Sequence, residues 1–346
     1  MERVRREEAV GRRLAHDVTQ VVPGEVKRVL LHRGETVRPE HMETLADMGK
    51  EHLLVLTAEE EDAEAGDGSV HENDAAALVA EAASGPGLAA GTAVEGKCDV
   101  RARADGLFLA DAAAVDAFNV AHMGRAALIT RPHGTPVKAG ERVATARIFP
   151  ARVTADEARL LAAAPSPLRL SPFRPLRAAA VITGAEVAAG RVPDAFGPLL
   201  AAKLSAYGST LARTLVVGDD AGAIAAALVA LRAEGYDLLF ATGGMAVDED
   251  DVTQAAIRRA GAQVRFAGVP MQPATLLLFA TLDGTPLFGV PAGVLYDPYT
   301  ALDRLLPFVL AGHLPQAEEV ARMGVGGLMA AAGHGHGGAS ARGHGA

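Results

Sequence analysis

Residues Asp237 to Thr253 read Asp-Leu-Leu-Phe-Ala-Thr-Gly-Gly-Met-Ala-Val-Asp-Glu-Asp-Asp-Val-Thr. An apolar run ends in Thr242-Gly243-Gly244, a short turn follows, and four consecutive acids lead into a helix-like segment. Glycines after a buried strand let backbone N–H groups approach a ligand closely, and such groups favour anions. Asp248, Glu249, Asp250 and Asp251 would repel a bare phosphate. A divalent cation reconciles the two signs, because hard metals take carboxylate and phosphate oxygens together. The stretch therefore predicts a metal-assisted phosphate site, with Asp248, Asp250 and Asp251 on Mg2+. Asp251 stands where the turn ends and the helix starts, so an ordinary helix N-cap is the competing reading. Thr242 either hydrogen-bonds a phosphate or simply ends its strand.

Around this stretch, strand-like and helix-like segments alternate. Strands are expected over 178–183, 211–217, 238–242 and 263–267. Helices are expected over 194–207, 219–234 and 251–260, each closed by Gly208, Gly235 or Gly261. Segments 276–282 and 286–290 flank Asp283-Gly284 and predict a hairpin. A last helix is expected over 299–311. Such alternation predicts an α/β fold with a parallel-rich sheet covered by helices on both faces. Ligands of such sheets bind beyond the carboxyl ends of the strands. Three loops lie there: 184–194, 243–251 and 291–297. Each carries an acid: Glu186 and Asp194, the run to Asp251, and Asp297. Glu186 follows Thr183-Gly184, where no helix cap is required.

The first half reads as a smaller α+β region. Short strands are expected over 26–31, 52–57, 94–104 and 142–148. Helices are expected over 39–50, 73–84 (capped by Asn73), 111–118 (capped by Asp111) and 154–164, the last opened by Thr154-Ala-Asp-Glu157. His122, Arg131 and His133 offer a pocket for an acidic ligand, against the commoner reading of scattered surface polar groups. Four prolines between Pro165 and Pro175 predict a linker over 165–177. From Gly324 the chain is rich in Gly and Ala, with His334, His336 and His344; its composition predicts a flexible tail over 324–346, with Zn or Ni binding as the rival.

Composition narrows the function. The 346 residues are 49% hydrophobic with a net charge of -9, which disfavours a nucleic-acid partner. The lone Cys98 excludes an intrachain disulfide. No apolar run reaches the ~18 residues of a spanning helix. The N-terminus lacks the apolar core of a signal peptide, so a cytoplasmic protein without a membrane partner is the expectation. Gly-x-Ser-x-Gly, Gly-x-Gly-x-x-Gly and Walker A motifs are all absent.

Four segments together resemble a known family: Thr183-Gly184-Ala185-Glu186, Gly190-Arg-Val-Pro-Asp194, Val217-Gly-Asp-Asp220, and Thr242-Gly243-Gly244 through Asp251-Val-Thr253. Their order and spacing are similar to the molybdopterin-binding domain of molybdenum cofactor biosynthesis proteins. Phe288-Gly289-Val290-Pro291 resembles a further segment of the molybdenum insertases, as do Val10 to Thr19 and Gly34 to Pro39 of the N-terminus. The resemblance implies a three-layer α/β domain over 178–323, an insertase-like segment over 1–60, and a region of uncertain role over 61–164. It implies Asp251 and Glu186 as catalytic acids. It implies Thr183, Gly184, Thr242, Gly243, Gly244, Asp220 and Pro291 as pterin or phosphate contacts. The implied activity is that of a molybdopterin molybdenumtransferase: Mg-dependent insertion of molybdate into adenylylated molybdopterin with release of AMP. A homodimer and a client molybdoenzyme are implied as partners. The chain departs from the family at Ala185 (for Asp), Ala246 (for Ser), Gln272-Pro273-Ala274-Thr275 (for Pro-Gly-Lys-Pro) and Pro291-Ala292-Gly293-Val294 (for Pro-Gly-Asn-Pro). These departures keep open a non-catalytic pterin carrier or insertion factor, with a plain interaction protein as the third reading.

Overall fold

The computed structural model describes residues 1–22, 26–57, 69–163, 167–245 and 252–329. Asp248, Asp250, Asp251, Ala246 and the histidines of the tail lie outside them. The chain divides between Leu170 and Ser171 into two compact units.

The first unit holds two small cores. Strands β1 (Glu2–Arg5) and β4 (His52–Val55) pair antiparallel, and β2 (Val18–Val22) pairs with β3 (Val26–Leu31). Helix α1 (Met42–Asp47) adds Leu45 to the core beneath them, beside Leu14, Leu31 and Val55. The second core lies under an antiparallel sheet in the order β6-β7-β11-β9: Leu88–Ala90, Lys97–Ala102, Arg142–Ile148 and Ala126–Thr130. Side chains of a strand alternate between faces. Cys98, Val100, Ala144, Ala146 and Ile148 thus point to one side, where α2 (Glu72–Ala83) covers them. The remaining helices here are α3 (Ala112–Ala121), capped by Asp111, and α4 (Ala155–Ala162), capped by Thr154.

Three details depart from the sequence reading. Helix α2 is capped by His71 rather than Asn73: His71 Nδ1 accepts the Asn73 N–H at 3.1 Å, while Asn73 Oδ1 accepts the Gly96 N–H at 2.7 Å. The strand expected from Val94 starts at Lys97, because Glu95 and Gly96 both take positive φ and form a tight turn. The Pro-rich stretch is not a bare linker. Leu168–Pro172 forms β13 at the edge of a sheet ordered β10 (Thr135–Val137), β8 (Gly106–Ala110), β13. An edge strand tolerates proline because one row of its backbone groups needs no partner.

The second unit is built on a six-stranded sheet ordered β15-β14-β16-β19-β18-β17: Thr210–Val217, Arg177–Thr183, Leu238–Thr242, Thr285–Val290, Leu278–Leu282 and Gln263–Ala267. The first four run parallel, β18 runs against them, and the edge strand β17, antiparallel to β18, returns to their direction. Asp283 and Gly284 close the β18–β19 hairpin with φ of 46 and 81, the pair of positive values a two-residue turn needs. Every residue of β16 is buried. Leu238 and Phe240 face α6 (Phe196–Ser205) and α9 (Ala301–Leu310). Leu239 and Ala241 face α7 (Ala221–Ala233) and α8 (Val252–Arg259). The domain is therefore three-layered, and a strand apolar on both faces is what such layering demands. Phe240, Phe288 and Phe279 form a row across three strands, the first pair stacked at 6.0 Å between centroids and the second tilted at 5.0 Å.

The His71 cap makes the first unit acid-sensitive. The ring is 5% exposed, and burial first, then the Arg33 guanidinium, pushes its pKa down from 6.5 to about 4. The unfolded chain then takes up a proton between pH 6.5 and 4 that the folded chain refuses, so stability present above pH 6.5 is lost across that window. Burial raises the Glu72 carboxyl above 4.5, which opposes the effect at the acid end. Urea midpoints should fall on acidification in the wild type and fall less in His71→Asn, which keeps an acceptor for the Asn73 N–H. Parallel losses in the two proteins would refute the assignment.

Candidate functional site

Strands β14, β15, β16 and β19 all end on one edge of the sheet, so their following loops meet there. The innermost contact joins β14 to β16. Thr183 Oγ1 donates to the Thr242 carbonyl at 2.6 Å and lies 3.5 Å from Thr253 Oγ1 at the start of α8. All three threonines are at most 5% exposed. The bond turns the Thr242 carbonyl toward Thr183, and Gly243 leaves the strand with φ of 121. A Cβ at Gly243 would run into Thr183 Oγ1. Gly184, after β14, repeats the pattern with φ of 139. Two Thr-Gly pairs on neighbouring parallel strands thus bring backbone close to one spot, in conformations that only glycine adopts without strain.

The backbone beyond Gly243 is fixed as well. Gly243 N donates to Val290 O at 3.3 Å, which ties the end of β16 to the residue before Pro291. Met245 is 2% exposed and packs over Gly289, where a Cβ would collide with its methyl group. Gln254 Nε2 donates to Met245 O at 3.1 Å. Gln254 thus ties the loop after β16, at Met245, to α8. Thr242 Oγ1 is fully buried and has no hydrogen-bond partner among the described residues. A buried hydroxyl left unpaired costs roughly 1–3 kcal/mol, which a ligand oxygen at this edge would return.

Glu186 is exposed on the four-residue helix α5 (Ala185–Ala188). Its backbone oxygen accepts from Arg191 and Val192, which curls the loop beyond it. Asp219, next to the cap residue of α7, has a task on a different loop. Its Oδ2 accepts the Ala185 N–H at 2.9 Å and so ties the loop after β14 to the loop after β15. Asp220 is the cap of α7, through Ala223 N at 2.7 Å, so its carboxylate serves the helix. Thr253 is the other residue that sequence reasoning passed over, although it ends the stretch read first. Pro291 is buried and precedes a short 3-10 turn, Ala292–Leu295.

Thr183, Gly184, Thr242, Gly243 and Gly244 therefore stand on one edge, with Glu186, Asp220 and Pro291 on its bordering loops. At the Gln272–Thr275 segment, Ala274 takes φ of 71 and Pro273 O accepts the Ala301 N–H, so this turn is held by α9. His122, Arg131 and His133 are taken up locally instead. His122 packs on Phe118 at 4.8 Å, Arg131 pairs with Glu141 at 2.7 Å, and His133 Nδ1 lies 2.9 Å from Ala110 O. No group of three or more His, Cys, Asp or Glu among the described residues is placed to hold a metal ion.

Gly243→Ala should destabilise the second unit by about 2–4 kcal/mol, from positive-φ strain plus the collision with Thr183. Thr183→Ala in that background should recover the steric part only, leaving about 1–3 kcal/mol of loss. Urea titration of the three proteins checks this, and an unperturbed Gly243→Ala would mean that the two strand ends are not in contact.

Residues 179–311 match a family described as a probable molybdopterin binding domain, and residues 3–57 match a domain of unknown function. A CinA-like protein of Mycobacterium sp. (strain MCS) is 43% identical over 83 residues, 24% of this chain and 20% of that protein. A CinA-like protein of Geobacter metallireducens is 44% identical over 85 residues, 25% of this chain and 20% of that protein. The match thus spans about a fifth of the length of these relatives. Among solved structures, the molybdopterin biosynthesis moea protein from Pyrococcus horikosii is 18% identical, with 64% of this chain and 68% of that chain covered and a TM-score of 0.31. The CinA protein of unknown function from Thermoplasma acidophilum is 18% identical, with 34% and 88% covered and a TM-score of 0.31. The residues that match the probable molybdopterin binding domain, 179–311, are those that build the six-stranded sheet of the second unit and most of the helices covering it.

Proposed function

We propose that the second unit binds a molybdopterin species in molybdenum cofactor biosynthesis, with the pterin's phosphate at the Thr-Gly edge. The observation that carries this reading is the pair of strand ends, Thr183-Gly184 and Thr242-Gly243, together with the buried Thr242 hydroxyl, which has no hydrogen-bond partner among the described residues. Buried hydroxyls and close backbone N–H groups are what a phosphate needs. In this reading Thr242 donates to the ligand and Gly244 offers its N–H, while Gly243, whose own N–H is spent on Val290 O, lets the backbone approach closely. Thr183 fixes the spacing of the two strands. Pro291 and Asp220 border the ligand.

The finer reading is Mg-dependent insertion of molybdate into adenylylated molybdopterin with release of AMP, the reaction of a molybdopterin molybdenumtransferase. Carboxylate oxygens suit Mg2+, and Asp248, Asp250 and Asp251 would hold it. The ion, when bound, supplies charge neutralisation at phosphate oxygens. Glu186 would act from the neighbouring loop, its carboxylate without a protein partner among the described residues, and Asp251 would be the second catalytic acid. The replacement of the expected lysine by the Gln272–Thr275 turn favours a second reading, a carrier that hands the pterin to a client molybdoenzyme. A homodimer and a cytoplasmic location belong to the same proposal. No helix among the described residues is long and apolar enough to cross a membrane.

Incubation with adenylylated molybdopterin, molybdate and Mg2+ separates the readings. The transferase releases AMP, and Asp251→Ala abolishes the release. Tight pterin binding without AMP would leave the carrier, and absence of any pterin binding would remove both. Asp219→Ala, which unties Ala185 from the neighbouring loop, should weaken pterin binding about tenfold, the order of one lost hydrogen bond to a charged group, with little change in melting temperature. Unchanged affinity in that variant would show that the loop after β14 does not need the tie.

A further inference from the structure

The open face of the β6-β7-β11-β9 sheet is not explained by the molybdopterin reading, and it holds a cavity of about 340 Å3 beside the β2–β3 hairpin. Three cations line it: Arg28 from β3, Lys97 from β7 and Arg142 from β11. Each has hydrogen-bonding capacity left over. Among the described residues the Arg28 side chain makes one hydrogen bond, from its Nε to Gln20 Oε1 at 3.1 Å, which leaves its terminal amino groups to spare. Lys97 Nζ stands 3.8 Å from Glu95, and Arg142 Nη1 stands 3.5 Å from Asp99, both too long for a strong hydrogen bond. The two acids are already engaged. Asp99 accepts from Arg101 at 3.0 Å and from the Thr145 hydroxyl at 2.8 Å. Glu95 accepts from the Thr19 hydroxyl. Glu95 and Asp99 also line the cavity, so three cations face two carboxylates and the lining carries a net charge of +1, in a chain whose net charge is -9.

We propose that this cavity binds a small phosphate monoester, its phosphate held by Arg28, Lys97 and Arg142 and its apolar body lying on Val29 and Val94. Three separate cationic donors suit the three terminal oxygens of a phosphoryl dianion better than the two of a carboxylate. The volume argues against a bare ion. Water occupies ~30 Å3, so the cavity has room for a ligand of several heavy atoms beyond the phosphate. Val29 and Val94 line the same cavity and Val94 is 40% exposed, which provides the apolar floor. The site lies wholly within the first unit and stands independently of the reading given to the second.

Calorimetric titration of the full chain with phenyl phosphate, inorganic phosphate and phenol tests this. Phenyl phosphate is expected to bind saturably, inorganic phosphate more weakly, and phenol not at all. Arg28→Ala with Arg142→Ala should weaken phenyl phosphate about tenfold or more, the scale of one lost charged hydrogen bond. Lys97→Ala should weaken it in the same direction. Arg159→Ala removes one charge from an exposed helix pair away from the cavity, and should leave the affinity within about twofold. All three cavity positions are solvent-facing, so far-UV circular dichroism should show folded variants. If the double variant does not fold, the Lys97→Ala titration decides. The proposal is overturned by the absence of saturable phenyl phosphate binding, by unchanged affinity in the cavity variants, by an equal loss in Arg159→Ala, or by phenol binding as well as its phosphate.

Discussion

One hydrogen bond organises the second unit's working edge: Thr183 Oγ1 to the carbonyl of Thr242. It occupies the last carbonyl of the central strand and sets how closely β14 and β16 end together. Gly243 must then be glycine on two counts, its φ and the hydroxyl that fills the place of a Cβ. The close backbone approach beside the buried Thr242 hydroxyl follows from that contact.

The sheet supplies the rigidity that such a contact needs. β16 is buried along its whole length between two helical layers, and the row of phenylalanines on one face braces it against β19 and β18. Removing a buried phenylalanine from such a row typically costs about 3–5 kcal/mol, so small shifts of the strand ends are resisted by the packing behind them. Asp219 and the Gly243–Val290 bond extend this order sideways, one to the loop after β14 and the other to the end of β19. The loops at this edge are thus held by polar ties, while the strands beneath them are held by apolar burial.

The first unit is organised differently. Its larger sheet is covered on one face only, so its strands alternate, and the uncovered face collects charge. Asp99 serves Arg101 and Thr145 and has little left for Arg142. Shortage of acceptors leaves donors available on that face. His122, Arg131 and His133, close in sequence, do not come together, because each is taken up by its own neighbour: Phe118, Glu141 and the Ala110 carbonyl.

Much of the second unit was legible in the amino-acid sequence. Apolar runs bounded by glycine located β14 to β19, the caps at Asp194 and Asp220 located helices, and Asp283-Gly284 located the hairpin. These signals are local, and a strand buried on both faces writes itself as an unbroken apolar run. The Thr-Gly pairs were legible too, because glycine after a strand has few other uses. Only the tertiary structure decided what Asp219 does, since its partner Ala185 lies on a different loop and nothing between them in sequence marks the pair. It likewise decided that Thr253 joins Thr183, that His71 rather than Asn73 caps its helix, and that a proline-rich stretch forms an edge strand. Each depends on which strand neighbours which, a choice made by packing across the whole domain and not by any single stretch of residues.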